Sequence, residues 1–218
     1  MSFTLVVGTK RWSSWSLRAW MALAVTGAPF RQVFIELRQP DTKAKILEWS
    51  PSGKIPMLDD DGVTVWDSLA ICEYLAERFP EAGLWPAGRE ARALARSVSA
   101  EMHSGFMPLR STCPMDVVED HPMTEIPDDV RADVARIDAL LADCRARFGQ
   151  GGPYLFGTFT NADAMFAPVV TRLRTYHLPV GKVSAAYCET IMAMPEMQEW
   201  VQAARAEPEE IAELDMDF

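Results

Sequence analysis

The spacing of hydrophobic and polar positions changes several times within the first eighty residues. Strand formers at 3–7, alternation over 31–37 and two short apolar pieces around an acidic turn at 57–66 predict two strands and a hairpin. Helical spacing and helix start and stop signals predict intervening helices at 17–25, 41–49 and 67–79. The predicted order is β-α-β-α-β-β-α, in which a parallel crossover is followed by an antiparallel edge. This order indicates a mixed sheet with helices packed on it.

The rest of the chain has the pattern of an all-helical domain. A Pro- and Gly-rich linker at 81–89 separates a first domain at 1–80 from a second domain at 90–218. After the linker, apolar stripes predict helices, the last one broken by a proline, at 90–110, 127–149, 161–176 and 185–206. We expect the acidic tail at 207–218 to lie on the surface.

A capping box begins the third of these helices. Thr160 has the position of an N-cap, and Asp163 can return a hydrogen bond to the backbone N–H of Thr160. Buried helix termini need partners of this kind. We therefore interpret Asp163 as a structural residue rather than a catalytic one.

Composition and charge narrow the classes of function. The 218 residues are 49% hydrophobic and 24% charged, which is ordinary for a globular protein. The net charge of −10 argues against nucleic acid as a partner. No apolar run is long enough to cross a bilayer, and no targeting segment is recognised. We therefore expect a cytoplasmic protein with no membrane partner.

The cysteines and histidines lack the spacing of a metal site or a disulfide framework. The four cysteines are far apart, and the three histidines have no ligand spacing to any of them. We expect no metal, and we expect reduced, mostly buried thiols at Cys72, Cys113, Cys144 and Cys188.

Two segments of the first domain place reactive groups at predicted helix starts. The serine cluster at 13–16 precedes an apolar helix, where hydroxyls and the helix dipole can stabilise an anion such as a thiolate. Asp67 and Ser68 begin another helix, where they can meet the ammonium and the carboxylate of an amino-acid head group. Serine and aspartate are also common helix caps. The residues alone leave both explanations open.

A third segment, Lys54-Ile55-Pro56, places a proline directly before a strand. A cis bond there would leave the backbone groups of Ile55 facing outwards, available to an extended peptide-like ligand. An ordinary trans turn proline explains the segment equally well, and the sequence does not separate the two.

Four motifs, in this order along the chain, resemble the glutathione S-transferase superfamily: "SSWSLRAWMAL", "SPSGKIPML", "WDSLAICEYLAERFP" and "GTFTNADAMFAPVV". The first is similar to the serine motif of the tau and zeta classes. The resemblance covers nearly the whole chain. It implies a thioredoxin-like α/β domain followed by an all-α domain, with glutathione as co-substrate and a homodimer as the assembly.

The resemblance also implies roles for the serine cluster. Ser13 has the place of the tau and zeta catalytic serine, five residues before Arg18, and Ser14 is the alternative one step closer. We interpret Ser16 as part of the first helical turn. Trp15 replaces the cysteine of the zeta motif, so the cluster holds no thiol for mixed-disulfide chemistry.

Five residues are implied to bind glutathione, namely Lys54, Ile55, Pro56, Asp67 and Ser68. The backbone of Ile55 would pair with the cysteinyl part, and Lys54 would meet the glycine carboxylate. Asp67 and Ser68 would hold the γ-glutamyl group, although Asp67 is shorter than the usual Glu or Gln.

The resemblance places a hydrophobic second substrate between the domains. The candidate lining combines Trp15 with residues from the first helix of the second domain, which are Met102, His103, Phe106 and Met107. A stripe of methionine and aromatic residues is also typical of a core. We interpret His103 as an ordinary helix histidine rather than a general acid.

The leading hypothesis is a glutathione transferase in which Ser13 favours the thiolate that attacks an electrophilic carbon. One alternative is a glutathione-dependent cis–trans isomerase of the maleylacetoacetate type, which Trp15 argues against. Another is a non-catalytic member of the superfamily that binds ligands or partner proteins.

Overall fold

The N-terminal part holds four strands and three helices in the predicted order. The computed structural model describes residues 3–207 of the chain. Its strands are β1 (Phe3–Gly8), β2 (Phe30–Ile35), β3 (Met57–Asp60) and β4 (Val63–Trp66). Its helices are α1 (Ser14–Val25), α2 (Thr42–Leu47) and α3 (Ser68–Arg78). The predicted β-α-β-α-β-β-α order is confirmed.

The four strands form one mixed sheet in the order β2-β1-β3-β4. β1 and β2 are parallel, as expected for strands joined through a helix, whereas β3 is antiparallel to both β1 and β4. Helix α2 covers a small apolar cluster on one face, formed by Val6, Ile35, Ile46 and Met57. Helices α1 and α3 pack on the other face, which belongs to the main core.

Helices make up the C-terminal part, as predicted. They are α4 (Arg89–Ser104), α5 (Met107–Thr112), α6 (Asp128–Phe148), α7 (Asn161–Thr175), α8 (Lys182–Met192) and α9 (Pro195–Arg205). The expected break near Pro195 is confirmed, since that proline begins α9.

The predicted continuous helix over 90–110 is wrong, because the structure has α4 and α5 in its place. Gly105 has an extended backbone conformation directly after α4, and Phe106 has a positive φ of 60°. A Cβ at Gly105 would lie 2.8 Å from the carbonyl oxygen of Glu101, so only glycine fits this conformation. The apolar spacing carries no signal of this break, since it continues across it.

Helix α1 lies at the centre of the molecule. Its residues from Ser16 to Leu23 are all buried. It contacts α3 on the side of the sheet, and α7 and α9 on the side of the helical part. The rings of Trp20 and Trp200, in α1 and α9, have centroids 5.4 Å apart. The helix that follows the serine cluster therefore joins the two parts through one shared core.

The predicted capping box of α7 is confirmed. The Asp163 carboxylate is buried and accepts the N–H of Thr160 at 2.8 Å and its hydroxyl at 2.9 Å. Its other oxygen accepts the N–H of Leu155 at 3.1 Å. Burial raises the pKa of Asp163 to about 6, against the opposing effect of these hydrogen bonds.

Other expectations have separate outcomes. All four cysteines are buried, as predicted. In residues 3–207, no group of three His, Cys, Asp or Glu side chains is arranged to hold a metal ion. No helix of that same stretch has both the length and the apolar character needed to span a membrane. The acidic tail lies, from residue 208 onwards, outside the described residues.

Candidate active site

A cavity of about 770 Å³ lies beside the start of α3. Its wall is formed by Trp15, Ser52, Lys54, Ile55, Pro56, Trp66, Asp67, Ser68 and His103. The five residues predicted to bind glutathione thus meet at one cavity, although they come from two separate segments of the chain. Two residues of the predicted second-substrate lining, Trp15 and His103, lie in the same wall.

The start of α3 presents a carboxylate and a hydroxyl to this cavity. Asp67 caps the helix, because its Oδ1 accepts the N–H groups of Leu69 and Ala70 at 2.9 and 3.4 Å. Ser68 is 1% exposed, and its buried hydroxyl has no hydrogen-bond partner within residues 3–207. Capping therefore explains Asp67 but not Ser68. An unpartnered buried hydroxyl at a helix N-terminus is suited to a ligand oxygen.

The second segment of the cavity wall lies just before β3. The Ile55–Pro56 peptide bond is cis. Ile55 makes no backbone hydrogen bond to the described part of the chain, so its N–H and C=O are available to a ligand. Lys54 is exposed and forms part of the cavity wall.

The serine cluster lies at the start of α1, next to the cavity. Ser13 is the N-cap residue, and its hydroxyl donates to the Ser16 hydroxyl oxygen at 2.7 Å. Ser16 also accepts the N–H of Gly8 at 3.0 Å and is fully buried, so it ties α1 to the end of β1. Ser14 is also buried. Neither Ser13 nor Ser14 is part of the cavity wall, which contains their neighbour Trp15.

The guanidinium groups of two arginines pack against the Trp15 ring. The guanidinium carbons of Arg18 and Arg110 lie 4.5 and 4.9 Å from the ring centroid. Arg18 is fully buried, and no nitrogen of its guanidinium has a hydrogen-bond partner in residues 3–207. Burial lowers the pKa of Arg18, and the charges of Arg110 and Arg172 lower it further. Both guanidinium groups therefore pack against a ring that is itself part of the cavity wall.

His103 reaches the cavity from the last turn of α4. Its Nε2 lies 3.3 Å from Asp67 Oδ2, and its ring meets the Trp15 ring edge-on with centroids 5.3 Å apart. Its Nδ1 is buried and has no hydrogen-bond partner within the described residues. Burial lowers the pKa of His103; the Asp67 charge opposes this, whereas Arg18 and Arg110 add to it. The prediction of an ordinary helix histidine missed this contact between the two parts of the chain.

The other predicted lining residues lie away from this cavity. Met102 is fully buried in the main core, and Phe106 is 8% exposed in the same core. Met107 is 52% exposed at the start of α5 and is not part of the wall. Their common stripe in the sequence is therefore divided between core and surface by the break after α4.

The wall also contains two residues that the motifs do not predict, Ser52 and Trp66. Their positions in the sequence indicate a place near the site, because each lies within two residues of a predicted glutathione-binding residue. The sequence does not indicate that Arg110 contacts Trp15, because this contact depends on how α5 folds back on α4.

Two family models match the chain on either side of the linker region. The glutathione S-transferase N-terminal domain matches residues 12–78, and the glutathione S-transferase C-terminal domain matches residues 127–203. The first contains the serine cluster and both segments of the cavity wall that precede α4. The chain therefore belongs to the glutathione S-transferase superfamily.

Individual relatives show which members it is similar to. A probable maleylacetoacetate isomerase from Caenorhabditis elegans is 36% identical over 99 residues, covering 45% of this chain and 46% of that protein. Glutathione S-transferase 1 from Dianthus caryophyllus is 27% identical over 165 residues and 72% of each chain. The match therefore spans about half the length of the C. elegans protein and 72% of the length of the D. caryophyllus protein.

A solved structure extends the likeness to almost the whole fold. A glutathione transferase homolog from Burkholderia, solved with bound glutathione, is 29% identical with a TM-score of 0.70. The superposition covers 95% of this chain and 100% of that chain. The fold is therefore that of the glutathione transferases, with a thioredoxin-like domain and an all-helical domain.

Proposed function

We propose that this protein is an enzyme that binds glutathione in the 770 Å³ cavity and conjugates its thiolate to small, mostly hydrophobic electrophiles. The observation that carries the proposal is the start of α3. There Asp67 offers a carboxylate to an ammonium, and the buried, unpartnered Ser68 hydroxyl is available to a carboxylate. This pair matches the γ-glutamyl head group of glutathione in charge and in kind.

The middle of the tripeptide would lie along the segment before β3. The unpaired backbone groups of Ile55 can take up the cysteinyl backbone as an added strand would, next to the cis bond with Pro56. The exposed Lys54 ammonium in the same cavity wall is available to the glycine carboxylate. Each end of the peptide then meets a group of opposite charge.

The thiol would lie at the start of α1. The Ser13 hydroxyl donates to Ser16, and a rotation of this hydroxyl would direct the donor to a thiolate. Ser14, which is buried beside it, is the alternative donor. The helix dipole and the buried charge of Arg18 favour the thiolate in either case.

The reaction follows from these groups. The thiol releases its proton to water and the thiolate sulfur forms a bond to the electrophilic carbon. A halide then departs with its bonding electron pair, or an epoxide C–O bond breaks and the alkoxide takes a proton from water. Trp15 and His103 would form the wall that faces the second substrate. Their aromatic faces suit an apolar or aromatic compound.

A glutathione-dependent isomerase is the second candidate, because relatives such as the C. elegans protein are named for that activity. In that reaction the carbon–sulfur bond forms and then breaks, so glutathione is regenerated. Trp15 in place of the zeta-type cysteine is the difference that speaks against it. A member that only binds ligands or partner proteins is the third candidate.

Calorimetry and product analysis separate these candidates. We expect glutathione to bind in a titration and to be consumed in reactions with aryl halides or epoxides. Turnover of maleylacetoacetate without loss of glutathione would favour the isomerase. The absence of binding at millimolar glutathione would contradict both enzyme proposals and favour the third candidate.

We also propose that the protein acts in the cytoplasm as a homodimer, as the superfamily resemblance implies. Sedimentation equilibrium would measure the mass in solution. A mass of about 24 kDa at every concentration would contradict the dimer.

A further inference from the structure

We propose that His103 is a positioning residue that holds the Asp67 carboxylate ready for the amino group of glutathione. The inference rests on the proposed function, since it concerns how the same cavity recognises its ligand. His103 belongs to the helical part of the chain, and it would take part in glutathione binding at the edge of the part that contains the sheet. The apolar pattern of α4 gave no reason to expect this.

The hydrogen bonds of Asp67 leave little freedom. An ionised carboxylate offers about four acceptor positions. The N–H groups of Leu69 and Ala70 use two of them on Oδ1, and His103 Nε2 approaches Oδ2 at 3.3 Å. One position on Oδ2 remains for an incoming ammonium, and the side chain is 46% exposed on the side from which a ligand can approach.

His103 can act as a donor in this contact because of its surroundings. Its Nε2 is the ring nitrogen that faces Asp67, 3.3 Å from Oδ2, and its Nδ1 is buried without a partner in residues 3–207. A neutral ring with its proton on Nε2 donates to the carboxylate without adding charge beside it. Burial and the charges of Arg18 and Arg110 favour this neutral form.

The end of α4 that carries His103 is itself held in place. The Arg110 guanidinium donates to the carbonyls of Gly105 at 2.9 Å and His103 at 3.1 Å, and to that of Met102. These bonds satisfy carbonyls that a helix terminus leaves without partners. The Trp15 ring also packs against the imidazole, with the ring centroids 5.3 Å apart and the rings close to perpendicular. A fixed imidazole can therefore fix the carboxylate that it contacts.

The short side chain of Asp67 explains why such a contact matters. The superfamily motif has Glu or Gln where this chain has Asp, so the carboxylate extends one methylene less far. Its backbone φ of 75° is unusual for a residue other than glycine. The contact with His103, which comes from another part of the chain, restricts the remaining rotation about the side-chain bonds of Asp67.

The test compares glutathione with its des-amino analogue, in which a glutaryl group replaces the γ-glutamyl group. Calorimetry measures both dissociation constants for the unmodified protein, His103→Ala and His103→Gln. We expect His103→Ala to weaken glutathione about tenfold and to leave the analogue unchanged, because the analogue has no ammonium for Asp67. His103→Gln, which keeps a donor on a side chain of similar length, should retain most of the affinity.

The matched control is His121→Ala. The Nε2 of His121 also lies 3.3 Å from an aspartate oxygen, that of Asp116, but outside the cavity wall. We expect this variant to bind both ligands normally. In an Asp67→Asn background, His103→Ala should cause no further loss of glutathione affinity.

Three results would overturn the inference. Equal weakening of both ligands by His103→Ala would show a general structural effect. Unchanged glutathione affinity in that variant, with normal binding by the unmodified protein, would contradict the role of His103 alone. No binding of either ligand to the unmodified protein would overturn the proposed function and this inference together.

Discussion

Replacing Ser68 by alanine should stabilise the ligand-free protein and weaken glutathione binding at the same time. The hydroxyl is buried and has no partner within residues 3–207. A buried hydroxyl without a hydrogen bond costs roughly 1–3 kcal/mol. Its removal should therefore raise the free energy of unfolding by about 1 kcal/mol, which corresponds to an increase in Tm of about 2–4 °C for a chain of this length.

The effect on binding has the opposite sign. A hydrogen bond from Ser68 to a ligand carboxylate would be charge-assisted and worth roughly 1.5–3 kcal/mol. Its loss should weaken glutathione roughly 10- to 100-fold. Urea denaturation of the ligand-free protein measures the first effect, and calorimetry with glutathione measures the second.

Ser184→Ala is the matched control for this prediction. Ser184 is also fully buried in the first turn of a helix, but its hydroxyl donates to Asp138 Oδ1 at 2.5 Å. Its removal should destabilise the protein and leave glutathione affinity unchanged. If Ser68→Ala behaved in the same way as this control, Ser68 would have only a structural role and the reasoning would be refuted.

The remaining predictions concern the thiol, the capping box and the end of α4. If Ser13 or Ser14 donates to the thiol of bound glutathione, replacing that serine by alanine should raise the pKa of the thiol, as measured from a pH–rate profile. Profiles of Ser13→Ala and Ser14→Ala that both equal the profile of the unmodified protein would contradict a serine donor. Asp163→Asn should lower the free energy of unfolding by about 2 kcal/mol in urea, because a buried donor loses its acceptor. Since the pKa of Asp163 is raised to about 6, the folded state binds more protons than the unfolded state between about pH 4 and 6, and this contribution to stability falls as the pH rises. The variant should lack that slope, and an unchanged slope would assign it to other groups. Gly105→Ala should lower Tm, because its Cβ would lie 2.8 Å from the Glu101 carbonyl oxygen, and an unchanged Tm would show that the turn can shift.

The sequence predicts the fold well because its signals are local. Alternation over 31–37, the helix cap at Asp67 and the capping box at Thr160 and Asp163 each depend on residues that are close in the chain. Each of these elements is present in the structure. The break at Gly105 was missed because it depends on one close approach to a backbone carbonyl, which the apolar spacing does not record.

The candidate site was predicted only where it follows a motif. The segments at 54–56 and 67–68 were found together because both have chemistry that is visible in the sequence. The contact of His103 with Asp67 joins residues 36 positions apart, and no local pattern predicts it. Met102, the residue before His103 in α4, is fully buried in the core. Which side of a helix end faces a cavity is decided by tertiary packing.

Several of the buried polar groups without a partner in residues 3–207 lie at or next to this cavity, whereas those of Trp12, Asn161 and Tyr187 lie outside its wall. Among the described residues, Ser68 and His103 in its wall and Arg18 behind Trp15 each have buried polar atoms without hydrogen bonds. Buried donors and charges of this kind are normally satisfied, because each one left alone lowers stability. Their positions follow the proposed ligand: a hydroxyl at its carboxylate end, an imidazole beside the aspartate for its ammonium, and a positive charge near its thiolate end. A protein that gains these partners only when glutathione binds would be less stable in its empty state, and this cost is what the Ser68→Ala measurement isolates.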